Sequence, residues 1–352
     1  MTTAPAPPRW RSAAVLGAGS LGTAIAKLLG PKLDSLVLVS IEPECVEGIN
    51  RDHRNPKYLT DAVLAPHVRA TLDHREALGE PLVIVAVPTA GVRSEARKLA
   101  LLGLPPTTPL VSCAKGIEQA TGKRMSELLH EELPANPVGV LTGPNHAEEI
   151  ARGLATCAVV AAAHPALALA LQDLFTRPFF RVYTSDDVAG LELGGAIKNV
   201  YALAAGMSHG LGLGDNAAAA LVTRGLAEMI RLGTALGGKP ETFIGLSGVG
   251  DLIVTCFSQH SRNHRVGLAL GQGQPLDQIL AGLGMVAEGV PNTLSIHDAA
   301  RRAGVRTPLL DAVHAVLYQD KPVPAALADL LTRDPRPETD DPATPWAGHT
   351  PA

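Results

Sequence analysis

Aromatic side chains are scarce: Trp 2, Tyr 4 and Phe 5 in 352 residues, 3% of the chain. A surface that stacks nucleobases needs more than that. Positive charge is not in excess either. Lys+Arg 30 stand against Asp+Glu 34, a formal net charge of −4, which excludes nucleic acid or an anionic membrane as the main partner. Cys45, Cys113, Cys157 and Cys256 lie far apart, with no C-x-x-C pair. That suits reduced thiols in a cytoplasmic protein better than a disulfide framework. No apolar run reaches transmembrane length; residues 155–163 are too few and read as a buried strand. Residues 1–11 are rich in Pro and Ala and lack the apolar region of a signal peptide. Residues 332–352, rich in Pro, Asp and Thr, read as a disordered tail.

What is present is a globular composition, 46% hydrophobic and 18% charged, in a chain long enough for two domains. The clearest motif runs from Val15 to Gly22. The apolar run 12–16 predicts a buried parallel strand. Gly17, Gly19 and Gly22 then spell G-x-G-x-x-G, and Thr23 to Leu29 read as a helix. Strand, glycine turn and helix in that order are what a dinucleotide site requires. Gly17 permits the tight turn, Gly19 lets a pyrophosphate approach the backbone, and Gly22 lets helix and strand pack closely. The phosphates would rest on the helix N-terminus. Residues 35–39 predict the second strand, with Glu42 at its end. An acid there either accepts from the ribose hydroxyls and repels a 2′-phosphate, or is a solvated loop residue.

Further strands are expected at 81–87, 109–114, 138–142, 155–163 and 179–183. Their carboxyl ends carry polar or glycine-rich loops: Val87-Pro88-Thr89, Lys115-Gly116, and Gly143-Pro144-Asn145-His146-Ala147. In an open α/β sheet such loops face the ligand crevice. From Asp186 onward Ala, Leu and Gly recur at helical spacing. Lys198 stands among apolar neighbours, where desolvation lowers its pKa and suits the amine to proton transfer; a snorkelling lysine is the plain alternative. Arg224 and Glu228 are an i,i+4 pair. Asp251 either caps a helix or faces the crevice. Ser261 is placed to cap a helix reaching Leu270, with Arg262 and Asn263 in its first turn. An arginine there opposes the helix dipole unless an anion sits on it, and a phosphate answers that need. Cys256, His260 and His264 are spaced four apart, but no fourth ligand is evident and no metal site is expected.

Taken in order, Gly-Ala-Gly-Ser-x-Gly-Thr-Ala, Asn55-x-x-Tyr58-Leu59, Val87-Pro88, Ala114-Lys115-Gly116, Gly143-Pro144, Lys198-Asn199-Val200, Gly212-x-Gly-Asp-Asn216, Thr223-Arg224-Gly225, Gly250-Asp251-Leu252 with Thr255-Cys256, Ser261-Arg262-Asn263 and Glu288-Gly289 resemble the bacterial NAD(P)-dependent glycerol-3-phosphate dehydrogenases. The resemblance covers residues 12 to 330. It implies an α/β fold: a Rossmann-type doubly wound sheet (12–185), then an all-α substrate domain (186–331), with the site between them. It implies Lys198 as the proton-transfer residue. Substrate contacts carry over to Lys115, Gly143, Asn145, Asp251, Ser261, Arg262 and Asn263. Cofactor contacts carry over to Ser20, Leu21, Lys115, Ala147, Arg262, Val286 and Glu288. A cytoplasmic homodimer that supplies glycerol phosphate for membrane phospholipids is implied as well. Another dehydrogenase of this architecture, of β-hydroxyacid or 6-phosphogluconate type, is the alternative. Two departures stand out. The family usually reads Gly-Pro-Ser-Phe/His-Ala where this chain has Asn145-His146. It often has Arg or His after the second strand, where Ile41-Glu42 stand here; this tilts the choice between NAD and NADP toward NAD.

Overall fold

The computed structural model describes residues 9–283, 286–335 and 337–338. Most of the two expected tails, and Met285, lie outside them. Eight strands form one sheet in the order β3-β2-β1-β4-β5-β6-β7-β8. They are β1 (Ser12–Leu16), β2 (Ser35–Val39), β3 (Val68–Thr71), β4 (Val83–Val85), β5 (Leu110–Ser112), β6 (Val138–Thr142), β7 (Thr156–Ala162) and β8 (Phe180–Ser185). All neighbours pair parallel except β6 with β7. The central strands are apolar on both faces because helices cover both. The order reverses between β1 and β4, which opens a crevice beyond their carboxyl ends.

The helices of this half are α1 (Ser20–Leu29), α2 (Pro43–Asp52), α3 (Val92–Leu102), α4 (Met125–Glu132), α5 (Ala147–Ala151) and α6 (Pro165–Phe175). One core lies under α1 and α6, a second under α3 and α4. Helix α1 begins three residues before the expected Thr23, and β4 and β5 are shorter than their apolar runs. Strand β3, Val-Arg-Ala-Thr, has no apolar run to announce it. It is an edge strand whose pairing with β2 supplies what its own pattern lacks.

From Val188 on, the described residues are helical: α7 (Val188–Gly210), α8 (Gly214–Ala235), α9 (Pro240–Phe243), α10 (Asp251–Phe257), α11 (Arg262–Gly271), α12 (Leu276–Gly282), α13 (Gly289–Arg302), α14 (Pro308–Tyr318) and α15 (Val323–Leu331). Helix α7 is the axis, buried from Gly190 to Ser208; a helix apolar on most of its circumference belongs in a core, and its few polar side chains there are paired. It meets α11 at backbone distance. A Cβ on Gly206 would stand 2.1 Å from the His264 carbonyl oxygen, and one on Gly267 2.0 Å from that of Leu203. Removing a packed side chain such as Ile197 from this core costs about 2–5 kcal/mol. Glu228 turns inward, accepting from Tyr201 Oη (3.3 Å) and from the amides of Leu309 (2.8 Å) and Leu310 (3.3 Å) at the start of α14. Among the described residues no single helix is long and apolar enough to cross a membrane.

Candidate active site

The glycine loop after β1 has the geometry its spacing predicts. Gly17 has φ +99°, and a Cβ there would crowd Ala86 O at 3.0 Å. A Cβ on Gly22 would lie 1.9 Å from Gly17 O, so helix and loop touch through it. At Gly19 a Cβ would meet nothing within 4 Å: the loop turns an open face to the crevice. Helix α1 starts there without a side-chain cap, which leaves an amide-rich helix end for an anion. A dinucleotide fits this cradle.

The crevice widens into a cavity of about 650 Å³. Of the sequence-predicted residues, Gly17, Gly19, Ser20, Leu21, Glu42, Lys115, Asn145, Ala147, Lys198, Ser261, Arg262, Asn263, Val286 and Glu288 line it. Gly22 lies beneath the loop. Gly143 and Asp251 are not among the lining residues; Gly143 holds Lys115, and Asp251 holds both Lys115 and Lys198.

Three residues beyond β2, at the start of α2, Glu42 lines the cavity. Its Oε1 accepts from Lys57 Nζ and from Tyr58 Oη (3.2 Å), and Cys45 Sγ lies 3.4 Å from Oε2. Burial works to raise its pKa, but Lys57, Cys45 and Tyr58 together hold it below the usual carboxylate range. Asn55, fully buried, bolts this turn to the glycine loop. It donates to Ala18 O (2.7 Å) and Thr23 Oγ1 (2.9 Å), and accepts from the amides of Lys57 and Tyr58, both at 3.0 Å.

The polar centre joins both halves. Lys115, just beyond β5, donates to Gly143 O (2.9 Å), Asn145 Oδ1 (2.7 Å) and Asp251 Oδ2 (2.8 Å). Lys198, midway along α7, donates to Asp251 Oδ1 and Thr255 Oγ1, each at 2.6 Å. One carboxylate thus bridges two ammonium groups. A π turn at 246–250 delivers Asp251 to this place, an arrangement found often at functional sites. Gly194 lets α7 approach that turn, since a Cβ would lie 2.7 Å from Ser247 O. Burial lowers the Lys198 pKa to about 8, against the pull of Asp251. Burial favours a neutral Asp251, yet the two lysines outweigh it and keep its pKa below the ordinary value. Asp251 is the first residue of α10, but Gly250 stands at the cap position and no side chain caps that helix; the carboxylate turns to the two lysines instead, so the capping expectation fails.

Around this centre run ties between the halves. Asn292 Nδ2 donates to Lys115 O at 2.8 Å, and Asn199 Nδ2 to the same oxygen at 3.3 Å. Asn263 donates to Asn199 Oδ1 (2.8 Å) and accepts from Gly289 N (2.9 Å), so both ends of its side-chain amide are engaged within the helical half. Glu288 Oε1 accepts from Thr89 N at 3.0 Å, joining the start of α13 to the loop after β4. Ser261 caps α11 as its position predicts, accepting from His264 N at 3.2 Å. Arg262 sits in the first turn, its Nη1 2.7 Å from Val286 O.

Cys256, His260 and His264 do not converge. His264 packs against His209, His260 faces His146 at 6.3 Å between ring centroids, and the Cys256 thiol is buried. No group of three candidate ligands stands together among the described residues. Thr255, Tyr58 and His146 also line the cavity and drew no role from sequence reasoning, although Thr255 and Tyr58 stand inside quoted motifs. Burial and the two lysines lower the His146 pKa to about 4, and its Nε2 is buried without a partner.

Two family descriptions match this chain: NAD-dependent glycerol-3-phosphate dehydrogenase N-terminus over residues 12–168, and its C-terminus over 187–328. The chain belongs to the NAD-dependent glycerol-3-phosphate dehydrogenase family. A glycerol-3-phosphate dehydrogenase [NAD(P)+] of Moorella thermoacetica is 49% identical over 323 residues, 92% of this chain and 96% of that protein. One from Enterococcus faecalis is 45% identical over 331 residues, 93% and 97%. The crystal structure of the Coxiella burnetii glycerol-3-phosphate dehydrogenase superposes with a TM-score of 0.89 at 36% identity, covering 93% of this chain and all of that one. The Rossmann-type half and the helical half of the dehydrogenase are those of its family, and its cofactor is NAD or NADP.

Proposed function

We propose that this dehydrogenase interconverts dihydroxyacetone phosphate and sn-glycerol 3-phosphate, with residues 12–185 carrying the cofactor and 186–331 the substrate. The observation that carries the reading is that Lys198, held by Asp251, lines the same cavity as the glycine loop and Arg262. A bound nicotinamide supplies or takes up the hydride. In reduction, the Lys198 ammonium hydrogen-bonds the C2 oxygen and gives it a proton as negative charge grows there. In oxidation, the Lys198 amine takes the proton from the C2 hydroxyl. Asp251 keeps Lys198 in place, and Lys115 adds a second positive charge beside the same oxygen. Asn145, held by Lys115, meets a substrate hydroxyl. Arg262 and the start of α11 capped by Ser261 hold the phosphate, which fixes the reacting carbon by orientation. Glu42 serves the ribose, while Leu21, Ala147, Val286 and Glu288 shape the dinucleotide's bed. By likeness to the family, we extend the proposal to supply of glycerol phosphate for phospholipid synthesis by a cytoplasmic homodimer. The test is turnover of dihydroxyacetone phosphate with NADH and NADPH side by side, followed by absorbance. Failure with both cofactors would sink the reading; preferential turnover of a 3-hydroxyacid or 6-phosphogluconate would favour the related dehydrogenases.

A further inference from the structure

Glu42 is the residue that would repel a 2′-phosphate, yet it is not a lone charge. Lys57 forms an ion pair with its Oε1, and Tyr58 donates to the same oxygen. The pair is built rather than accidental. Asn55 takes the amides of Lys57 and Tyr58 on one oxygen and grips the glycine loop with its nitrogen, so the Lys57 backbone is fixed next to Glu42; Glu42 and Tyr58 line the cavity, and the Lys57 ammonium reaches it through the Glu42 carboxylate. The other charges facing that end are balanced too. Glu95 takes His74 Nε2 at 2.6 Å and Lys98 Nζ at 2.7 Å, and all three line the cavity. Arg54, on the same turn, points its Nη1 at Thr60 O, 3.3 Å away. The wall that meets the adenosine ribose is therefore close to neutral.

We propose that Lys57 is a cofactor-selecting residue: it cancels the charge of Glu42, so the cavity admits the 2′-phosphate of NADP(H) as well as the free ribose of NAD(H). The inference rests on the assignment of Glu42 to the ribose. It replaces the expectation of an NAD-directed acid with that of an acid–base pair. A bare carboxylate excludes a phosphate by Coulomb repulsion in a partly screened site. Paired with an ammonium, it leaves no net charge, and the ammonium is free to turn to an arriving phosphate.

Calorimetric titration of the full chain with adenosine 2′,5′-bisphosphate and with 5′-AMP tests this without any turnover. Lys57→Gln leaves Glu42 bare, and the affinity ratio of bisphosphate to AMP falls by about tenfold, the size expected of one nearby unit charge. Glu42→Gln leaves Lys57 unpaired, and the ratio rises. The double variant returns toward the wild-type ratio, because both charges of the pair are gone, and Lys57→Arg keeps that ratio. A Lys57→Gln variant that loses affinity for both probes equally would show a structural role and overturn the inference, as would an unchanged ratio. Should neither probe bind the wild type, the dinucleotide assignment of the cavity falls and this inference with it. If both bind but dihydroxyacetone phosphate is not turned over, only the proposed reaction falls.

Discussion

Lys198 and Asp251, 53 residues apart in the chain, meet with Nζ 2.6 Å from Oδ1, and the other oxygen of that carboxylate holds Lys115. The pair is buried: Lys198 is 4% exposed and Asp251 1%. Removing one partner of such a pair strands the other charge in low dielectric. Asp251→Asn should leave two ammonium groups facing each other, drive the Lys198 pKa further down and cut turnover by about 100-fold or more. Full activity with an unshifted pH profile would show that Asp251 does not position Lys198.

Lys198→Ala removes the proton donor itself. Turnover should fall by at least about a thousandfold, while cofactor binding, read by fluorescence titration, persists. Near-normal turnover would take Lys198 out of the role.

With the Lys198 pKa lowered to about 8 by burial, the two directions of reaction should respond to pH with opposite sign. Reduction needs the ammonium, so it declines as pH rises through the region near 8. Oxidation needs the amine and rises over the same range. Profiles of kcat in both directions decide it; two flat profiles would point to another proton carrier.

Arg262→Ala should raise KM for dihydroxyacetone phosphate by about 10- to 100-fold, the loss of a charge-assisted bond to phosphate. A smaller effect is expected on kcat. An unchanged KM would move the phosphate elsewhere in the cavity.

Glu228 lies outside the cavity and bears on stability. Burial raises its pKa to about 7 from an ordinary 4.5, against the pull of the Leu309 and Leu310 amides. A raised pKa in the folded state means that this group's contribution is complete below about pH 4.5 and is lost as pH climbs through 7. Glu228→Gln has no such loss. Its stability advantage should grow from near zero at about pH 5 to roughly 1–3 kcal/mol at about pH 8, followed by thermal melting. A gap independent of pH would mean that Glu228 is ionised in the fold.

Local pattern carried much of this molecule. The run 12–16 followed by spaced glycines was legible because an apolar strand that turns sharply into a helix needs residues without a Cβ at Gly17 and Gly22, where the loop touches the helix and the residues just after β4. Ser261 capping α11 was legible for a similar reason: the bond from its hydroxyl to the amide three residues on is local. Strand β3 was not legible, since an edge strand of four residues draws its stability from its neighbour β2. Nor was the reversal of β7, which pairing decides and hydrophobic pattern does not.

The sequence alone determined the dinucleotide loop, the family and the residue types at the site. Only the tertiary structure decided their partnerships. Asp251 could be read as a cap or as a site residue until α7 and the loop beyond β5 brought Lys198 and Lys115 to its two oxygens. Glu42 read as a lone acid until the Asn55 turn set Lys57 against it. Charges separated by tens or hundreds of residues interact through space, over a few ångströms, and spacing along a chain does not encode that distance.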